Sequence, residues 1–304
     1  MELSEYQQQA GETDILTADD ELLPLLGLAG EVGQLIAEYK KRQRDKTGYR
    51  AFRDEVHEEL GDILWYAAAL ARRSGFNLDD IARDNLGKTR GLFRSPGQLP
   101  PHDLFDKEVP AEQRLPTRLT VMLVETDEIT DRGEALQRVR MYRGTQPVGD
   151  PLDDNSEHDD SYRYHDVFHL AHMAVLGWSP VMRALLGRKR SAAPAVDRVQ
   201  DGGRAIAIEE GLTAYVFMMA AQHSFFTSSA HVPPSVLKTC AKMTAHLEIA
   251  ARSTADWHAA ILAGYAAFRQ VNINRGGVLS ADLEQRTLTY AGPPVPEAHV
   301  NSPD

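Results

Sequence analysis

Apolar residues recur at helical spacing through the first third of the chain: Leu22, Leu25, Leu26, Ala29, Val32, Leu35, Ile36 and Tyr39, then Val56, Leu60, Ile63, Leu64, Ala67, Leu70 and Ala71. The spacing predicts two long amphipathic helices within residues 20–93. Between them Lys40 to Arg50 is a basic connector containing Gly48, and a third, shorter helix starts at Asn77, a suitable N-cap with Asp80 three residues on. Short connections make such helices antiparallel neighbours. Ser95-Pro96-Gly97 and Pro100-Pro101 then break the periodicity and predict a linker over residues 94–116. Beyond it, Leu119 to Glu125 and Ala135 to Tyr142 read as strands joined around Asp131-Arg132-Gly133, followed by an acidic stretch from Asp150 to Asp160. Helical periodicity returns near 164–175, 179–187, 203–222, 235–252 and 254–270. A last strand, Gln285 to Tyr290, precedes a Pro-rich tail over 293–304 expected to be mobile. The expected fold class is mainly α: an antiparallel helical bundle over 1–93, then a mostly helical domain over 117–292 with a small β element.

Composition narrows this picture. A length of 304 residues suggests about two domains, and 42% hydrophobic with 25% charged residues suits a core-forming globular protein. No apolar run approaches the roughly 18 residues of a membrane span, and the first residues are acidic and polar, so neither membrane insertion nor secretion is expected. The single cysteine, Cys240, cannot form an internal disulfide; a cytoplasmic setting is expected, with Cys240 as a small buried hydrophobe. The 33 Lys and Arg against 44 Asp and Glu give a formal charge of −11, which disfavours duplex nucleic acid as a partner. A small phosphate substrate stays open, because carboxylates can hold Mg²⁺ and the ion then faces the phosphates.

Acidic residues in the first domain fall into two rows. At 100° per residue, Glu31, Gln34 and Glu38 lie within about 60° of one another, and Glu55, Glu58, Glu59 and Asp62 within about 100°, each row flanking its apolar stripe. When the stripes pack, the rows converge, and like charges out of water raise one another's pKa unless a cation intervenes. Oxygen donors alone favour Mg²⁺ or Mn²⁺. A solvated face paired with lysines is the alternative. Gly61, together with Gly30 and Gly33, speaks for the cation, because an interior helical glycine costs about 1 kcal/mol and suggests close approach of another group.

The segments LLPLLGLAGEVGQLIAEYKK and DEVHEELGDILWYAAALARRSGFNLDDIARDNLGKTRGLF resemble the MazG-like all-alpha nucleoside triphosphate pyrophosphohydrolases. Tyr6-Gln7, Ala10 and Thr13 fit the family's usual opening, so the resemblance covers about residues 4–93. It implies a helical bundle that hydrolyses (deoxy)nucleoside triphosphates between the α and β phosphates, with Mg²⁺ as cofactor, Mn²⁺ as substitute, and a homodimer or higher homo-oligomer as assembly. It implies Glu31, Gln34, Glu59 and Asp62 as metal ligands, with Gln34 departing from the family's usual Glu and removing one charge. Glu38 or Glu58 could compensate from the same face. Glu59 and Glu58 are the implied proton acceptors. Asn85 and Lys88 match the family's NLxK pattern for phosphate binding, and Arg90 stands in for the arginine usual near Leu92. Trp65 and Tyr66 are read as core rather than as a base-stacking platform.

The second domain brings a different set. His165, His169 and His172 fall at i, i+4 and i+7 with Asp166 beside them, and Glu209 and Glu210 sit on a later helix. His165, His169 and Glu209 form a second candidate metal set of the zinc-hydrolase type, in which Asp166 replaces the usual, longer Glu. Alternatively the histidines hydrogen-bond Asp153, Asp154, Asp159 and Asp160 upstream. Arg188, Lys189 and Arg190 read as a solvated helix end. The first expectation for function is Mg²⁺-dependent nucleotide pyrophosphohydrolysis. A nucleotide-sensing module weakened by Gln34, and a Zn²⁺-dependent hydrolase at the histidine helix, are the competing readings.

Overall fold

The computed structural model describes residues 1–15, 22–92, 99–129, 133, 135–157, 159–227 and 231–294. The chain divides into two compact units, Met1–Thr89 and Arg90–Asp304. The first begins with α1 (Leu3–Glu12), α2 (Leu22–Asp45) and α3 (Phe52–Arg73), and α4 (Leu78–Leu92) starts within it. Asn77 caps α4 as expected, its Oδ1 accepting from Asp79 N at 2.7 Å. α2 runs through Asp45, so the basic connector is shorter than the sequence suggested. α2 and α3 are antiparallel: a Cβ on Gly27 would lie 2.2 Å from the Tyr66 ring, while Tyr39 meets Phe52 edge-on at the other end. Gly27 therefore lets Tyr66 lie against the α2 backbone. Trp65 Nε1 donates to Thr13 Oγ1 (2.9 Å), and Asp14 holds both Arg72 and Arg73, which ties the end of α1 to α3.

The apolar stripes do not form the shared core that their spacing suggested. Leu25, Leu26, Val32, Ile36 and Tyr39 on α2, and Leu60 and Leu64 on α3, are exposed on the single chain, whereas Glu38 and Glu59 are buried. The small core is instead Ala10, Ala68, Ala71 and Leu78, with Leu3, Tyr6 and Trp65 against it.

The second unit contains more β structure than a small element. β1 (Arg118–Ile129), β2 (Ala135–Arg143), β3 (Gln146–Leu152), β4 (Gly276–Asp282) and β5 (Thr287–Gly292) form one antiparallel sheet in the order β3-β2-β1-β4-β5. β3 carries Pro147, Gly149 and Pro151, which read as turn signals; at the sheet edge a missing N–H leaves no ladder bond unmade. β4 opens with two glycines at positive φ, and a Cβ on Gly276 would meet Leu123 O at 2.3 Å, so glycine is what lets this strand close on β1.

Helices α5 (Asp166–Ala171), α6 (Pro180–Leu185), α7 (Pro194–Gln200), α8 (Gly203–Ala221), α9 (Pro234–Met243) and α10 (Thr254–Ile273) complete the unit. α10 starts at a reciprocal Ser253–Asp256 capping box and packs against α5, β4 and β5. The helix expected over 235–252 stops at Met243 and resumes as a short 3-10 turn, and α7 was not anticipated. Of the stretch read as a linker, residues 99–116 belong to this unit, with Asp106 and Leu115 buried in it. The turn around Asp131 and Arg132, and the tail beyond 294, lie outside the described residues. Cys240 is buried and free. Among the described residues no helix is long and apolar enough to cross a membrane.

Arg190 is not the solvated helix end that the sequence suggested. Its guanidinium is buried and forked onto Asp201 (Nη2 to Oδ1 2.6 Å, Nε to Oδ2 3.0 Å) and onto Glu248 (2.7 Å). Arg183 pairs with Asp106 at 2.7 Å and lies 3.6 Å from the same Asp201. Removing one member of such a network strands a buried charge. Asp201→Ala should therefore cost about 3–5 kcal/mol, read as a lower denaturant midpoint for the transition followed by the buried Trp178 and Trp257.

Candidate functional site

In the first unit the carboxylates of α2 and α3 meet where the helices cross. Glu59 is only 9% exposed, and its Oε2 has no hydrogen-bond partner among the described residues. Burial, then contact with Glu31, then the charges of Glu31, Asp62 and Glu38 push its carboxyl above the usual carboxylate range. Gln34 Nε2 donates to Glu31 Oε2 at 2.6 Å, so the neutral amide fixes one oxygen of its neighbour. Glu38 is buried but occupied: Lys41 Nζ lies 2.5 Å from Oε1 and the Tyr49 hydroxyl donates to Oε2, which together hold its carboxyl below the usual range. It is therefore not free to make up for the charge missing at Gln34.

Glu59 thus meets Glu31, while Asp62 is exposed and near enough for its charge to act on Glu59 and Tyr6. Glu58 is exposed on α3 and Asn85 on α4. The Lys88 and Arg90 side chains lie outside what the structure describes. A Cβ on Gly30, Gly33 or Gly61 would meet nothing within 4 Å in this chain. The close approach at these glycines is not made by this chain's own described residues.

In the second unit the histidines gather with carboxylates from α8, not with the upstream aspartates. Asp154 and Asp159 instead pair with Arg163, at 2.6 and 2.7 Å. His169 is fully buried, with Nδ1 3.1 Å from Glu209 Oε1 and Nε2 3.3 Å from Glu210 Oε2. Neither ring nitrogen meets hydrogen-bond geometry with a partner. Burial alone would lower the His169 pKa; the two carboxylates outweigh it and raise it to about 10. Glu209 is fully buried too, accepting from Ser179 Oγ (3.0 Å) and Val181 N (2.9 Å) on Oε2, with His172 Nδ1 3.1 Å from Oε1. Burial opposes its ionisation, but His169 and His172 hold it at about 2. His165 precedes α5, stacks on Tyr162 and faces Tyr162 O through Nδ1 at 2.9 Å. His172 opens a π-helical segment, His172–Leu176, a form frequent at functional sites. Sequence spacing found His165, His169 and Glu209; Asp166 and Glu210 complete the cluster, and their adjacency to these residues in the sequence was the available signal.

Two family descriptions match the chain: the MazG C-terminal domain over residues 100–294 and the MazG nucleotide pyrophosphohydrolase domain over residues 21–96. A curated relative, the Gene 37 protein of Mycobacterium phage L5, is 37% identical over 79 residues, covering 24% of this chain and 69% of that protein. No solved structure matches. The match over residues 21–96 falls where the sequence resembles this family, and the match over residues 100–294 covers a region for which the sequence offered no family.

A Glu59 pKa raised in the folded chain means that this residue favours folding below its unfolded value of about 4.3 and loses that contribution as pH rises through the folded value. In a chelator, Glu59→Gln should flatten the decline of α3 stability over that rise, leaving the variant at least as stable as wild type at neutral pH. Amide hydrogen exchange of α3 across the pH series checks the sign.

Proposed function

We propose, from the premise that the chain belongs to the MazG family, that its N-terminal helices hydrolyse a nucleoside triphosphate between the α and β phosphates, releasing the monophosphate and pyrophosphate. The observation that carries this reading is Glu59: a buried carboxylate pressed against Glu31, with one oxygen lacking any donor. Two acids so placed repel each other until a cation joins them.

The donors fit a hard divalent ion, Mg²⁺ or Mn²⁺: Glu31, Glu59 and Asp62 offer carboxylate oxygens and Gln34 an amide oxygen, with no imidazole or thiolate among them. Such an ion supplies neutralisation of phosphate charge and activation of the attacking water. The chain's own residues do the rest. Glu59, assisted by Glu58, takes the proton of that water. Gln34 anchors Glu31 at the cost of one negative charge. Asn85, Lys88 and Arg90 on α4 bind the phosphates and stabilise charge on the departing pyrophosphate.

Pyrophosphate release from a panel of ribo- and deoxyribonucleoside triphosphates with Mg²⁺ tests this reading. Wild type should release it from at least one, and Glu59→Gln should lose about 10²-fold or more of the rate; no release from any member would remove the proposal. Gln34→Glu should lower the half-saturating Mg²⁺ concentration by about fivefold, the effect of roughly 1 kcal/mol from one added charge near the ion.

The exposed apolar face supports a second copy of the chain as partner. Val32, Ile36, Leu60 and Leu64 are more exposed than a solitary small bundle tolerates, and Gly30, Gly33 and Gly61 leave room for a close backbone approach. Ile36→Glu with Leu60→Glu should shift the sedimentation of the full chain to that of a monomer. Monomeric wild type would remove the homo-oligomer.

A further inference from the structure

The first unit leaves the histidine cluster of the second unit unused, and this cluster differs from the acidic site in its chemistry. His165, Asp166 and His169 each offer one ligand atom, and these atoms lie within 4.8 Å of one another. Glu210 adds an oxygen 3.3 Å from His169 Nε2 and is 42% exposed, which gives the cluster an opening to solvent. We propose that these four residues bind a divalent transition-metal ion, with Glu209 acting behind them as the residue that positions His169.

Three observations support the assignment independently of the triphosphate chemistry. The His169 imidazole is fully buried between Glu209 and Glu210, and among the described residues neither nitrogen meets hydrogen-bond geometry with these carboxylates, so the contacts are close but misaligned for proton sharing. The Asp166 carboxylate beside it is also buried and groups with His165 and His169. The remaining contacts fix the direction of the free lone pairs. Tyr162 O can only accept, so His165 Nδ1 carries the proton and Nε2 stays open. Glu209 lies at His169 Nδ1 with its other oxygen tied to Ser179 and Val181, which leaves His169 Nε2 on the side of Glu210. A carboxylate behind a ligating histidine is the usual way its tautomer and orientation are fixed.

Two imidazoles with two carboxylates select a borderline ion of the zinc class over Mg²⁺. Metal–ligand distances of about 2.0–2.2 Å require only small side-chain rotations from the present spread. The set differs from the one read from the sequence in two ways: Glu210 supplies the oxygen in place of Glu209, which holds His169, and Asp166 joins as a ligand.

The test uses the full chain, with cobalt as the probe. Co²⁺ added to metal-stripped protein should bind at one equivalent per chain with the intense visible bands of a nitrogen-containing, low-coordinate site, and Zn²⁺ should displace it. His165→Gln and Glu210→Gln, both at partly exposed positions, should each weaken Co²⁺ binding by at least tenfold while far-UV circular dichroism stays unchanged. Glu59→Gln with Asp62→Asn should leave the bands intact. The proposal is overturned if wild type gives no such bands, if the His165 and Glu210 variants keep full affinity, or if the bands vanish with the Glu59 and Asp62 variant. Pyrophosphate release is measured separately, so its loss or presence does not decide this site.

Discussion

The contact of a buried glutamate, Glu59, with the half-buried Glu31 governs the first unit. Glu31 and Glu59 come from different helices and meet where α2 and α3 cross, so that interface holds acid where a bundle would ordinarily hold leucine. Their mutual repulsion opposes the packing of the helices. Glu38 nearby is held by Lys41 and Tyr49, so it is paired where Glu59 is not. The leucines and isoleucines displaced from the interface lie on the outside. The buried acids and the uncovered apolar face are thus two results of one arrangement: Glu38 and Glu59 turn inward, and apolar residues of the same helices face outward.

The second unit answers the problem of buried charge differently. Arg163, Arg183, Arg190 and Arg286 are all nearly inaccessible, and each meets a carboxylate of its own, so charge is balanced inside the fold. The histidine cluster breaks that pattern. His169 has carboxylates at both nitrogens and hydrogen-bond geometry with neither, in a unit where other buried cations are paired with care.

Much of the helical architecture was legible along the chain because it rests on local spacing. Asn77 announces α4 through its cap, and periodicity announces α10, whose start the structure fixes with the Ser253–Asp256 box. β1 and β2 follow from alternating residues flanking a turn. β3 was hidden by its two prolines, which only an edge position makes harmless, and β4 by its two glycines, whose use becomes clear once the strand lies beside β1, more than a hundred residues away in sequence. The catalytic candidates were legible for a similar reason: helical periodicity alone places Glu31 with Gln34, and Glu59 with Asp62, each on one face.

Along the chain, residue spacing determined which segments become helices, which acids share a helical face, and which histidines stand one turn apart, because these depend on neighbours three or four positions away. Tertiary packing decided which side of each helix turns inward. It buried Glu38 and Glu59 and left Ile36 and Leu60 outside, gave Arg190 to Asp201, and set Glu209 behind His169 with Glu210 at its open side. An amphipathic pattern specifies that two faces differ; whether the apolar one meets this chain's own core depends on the other elements competing for that space.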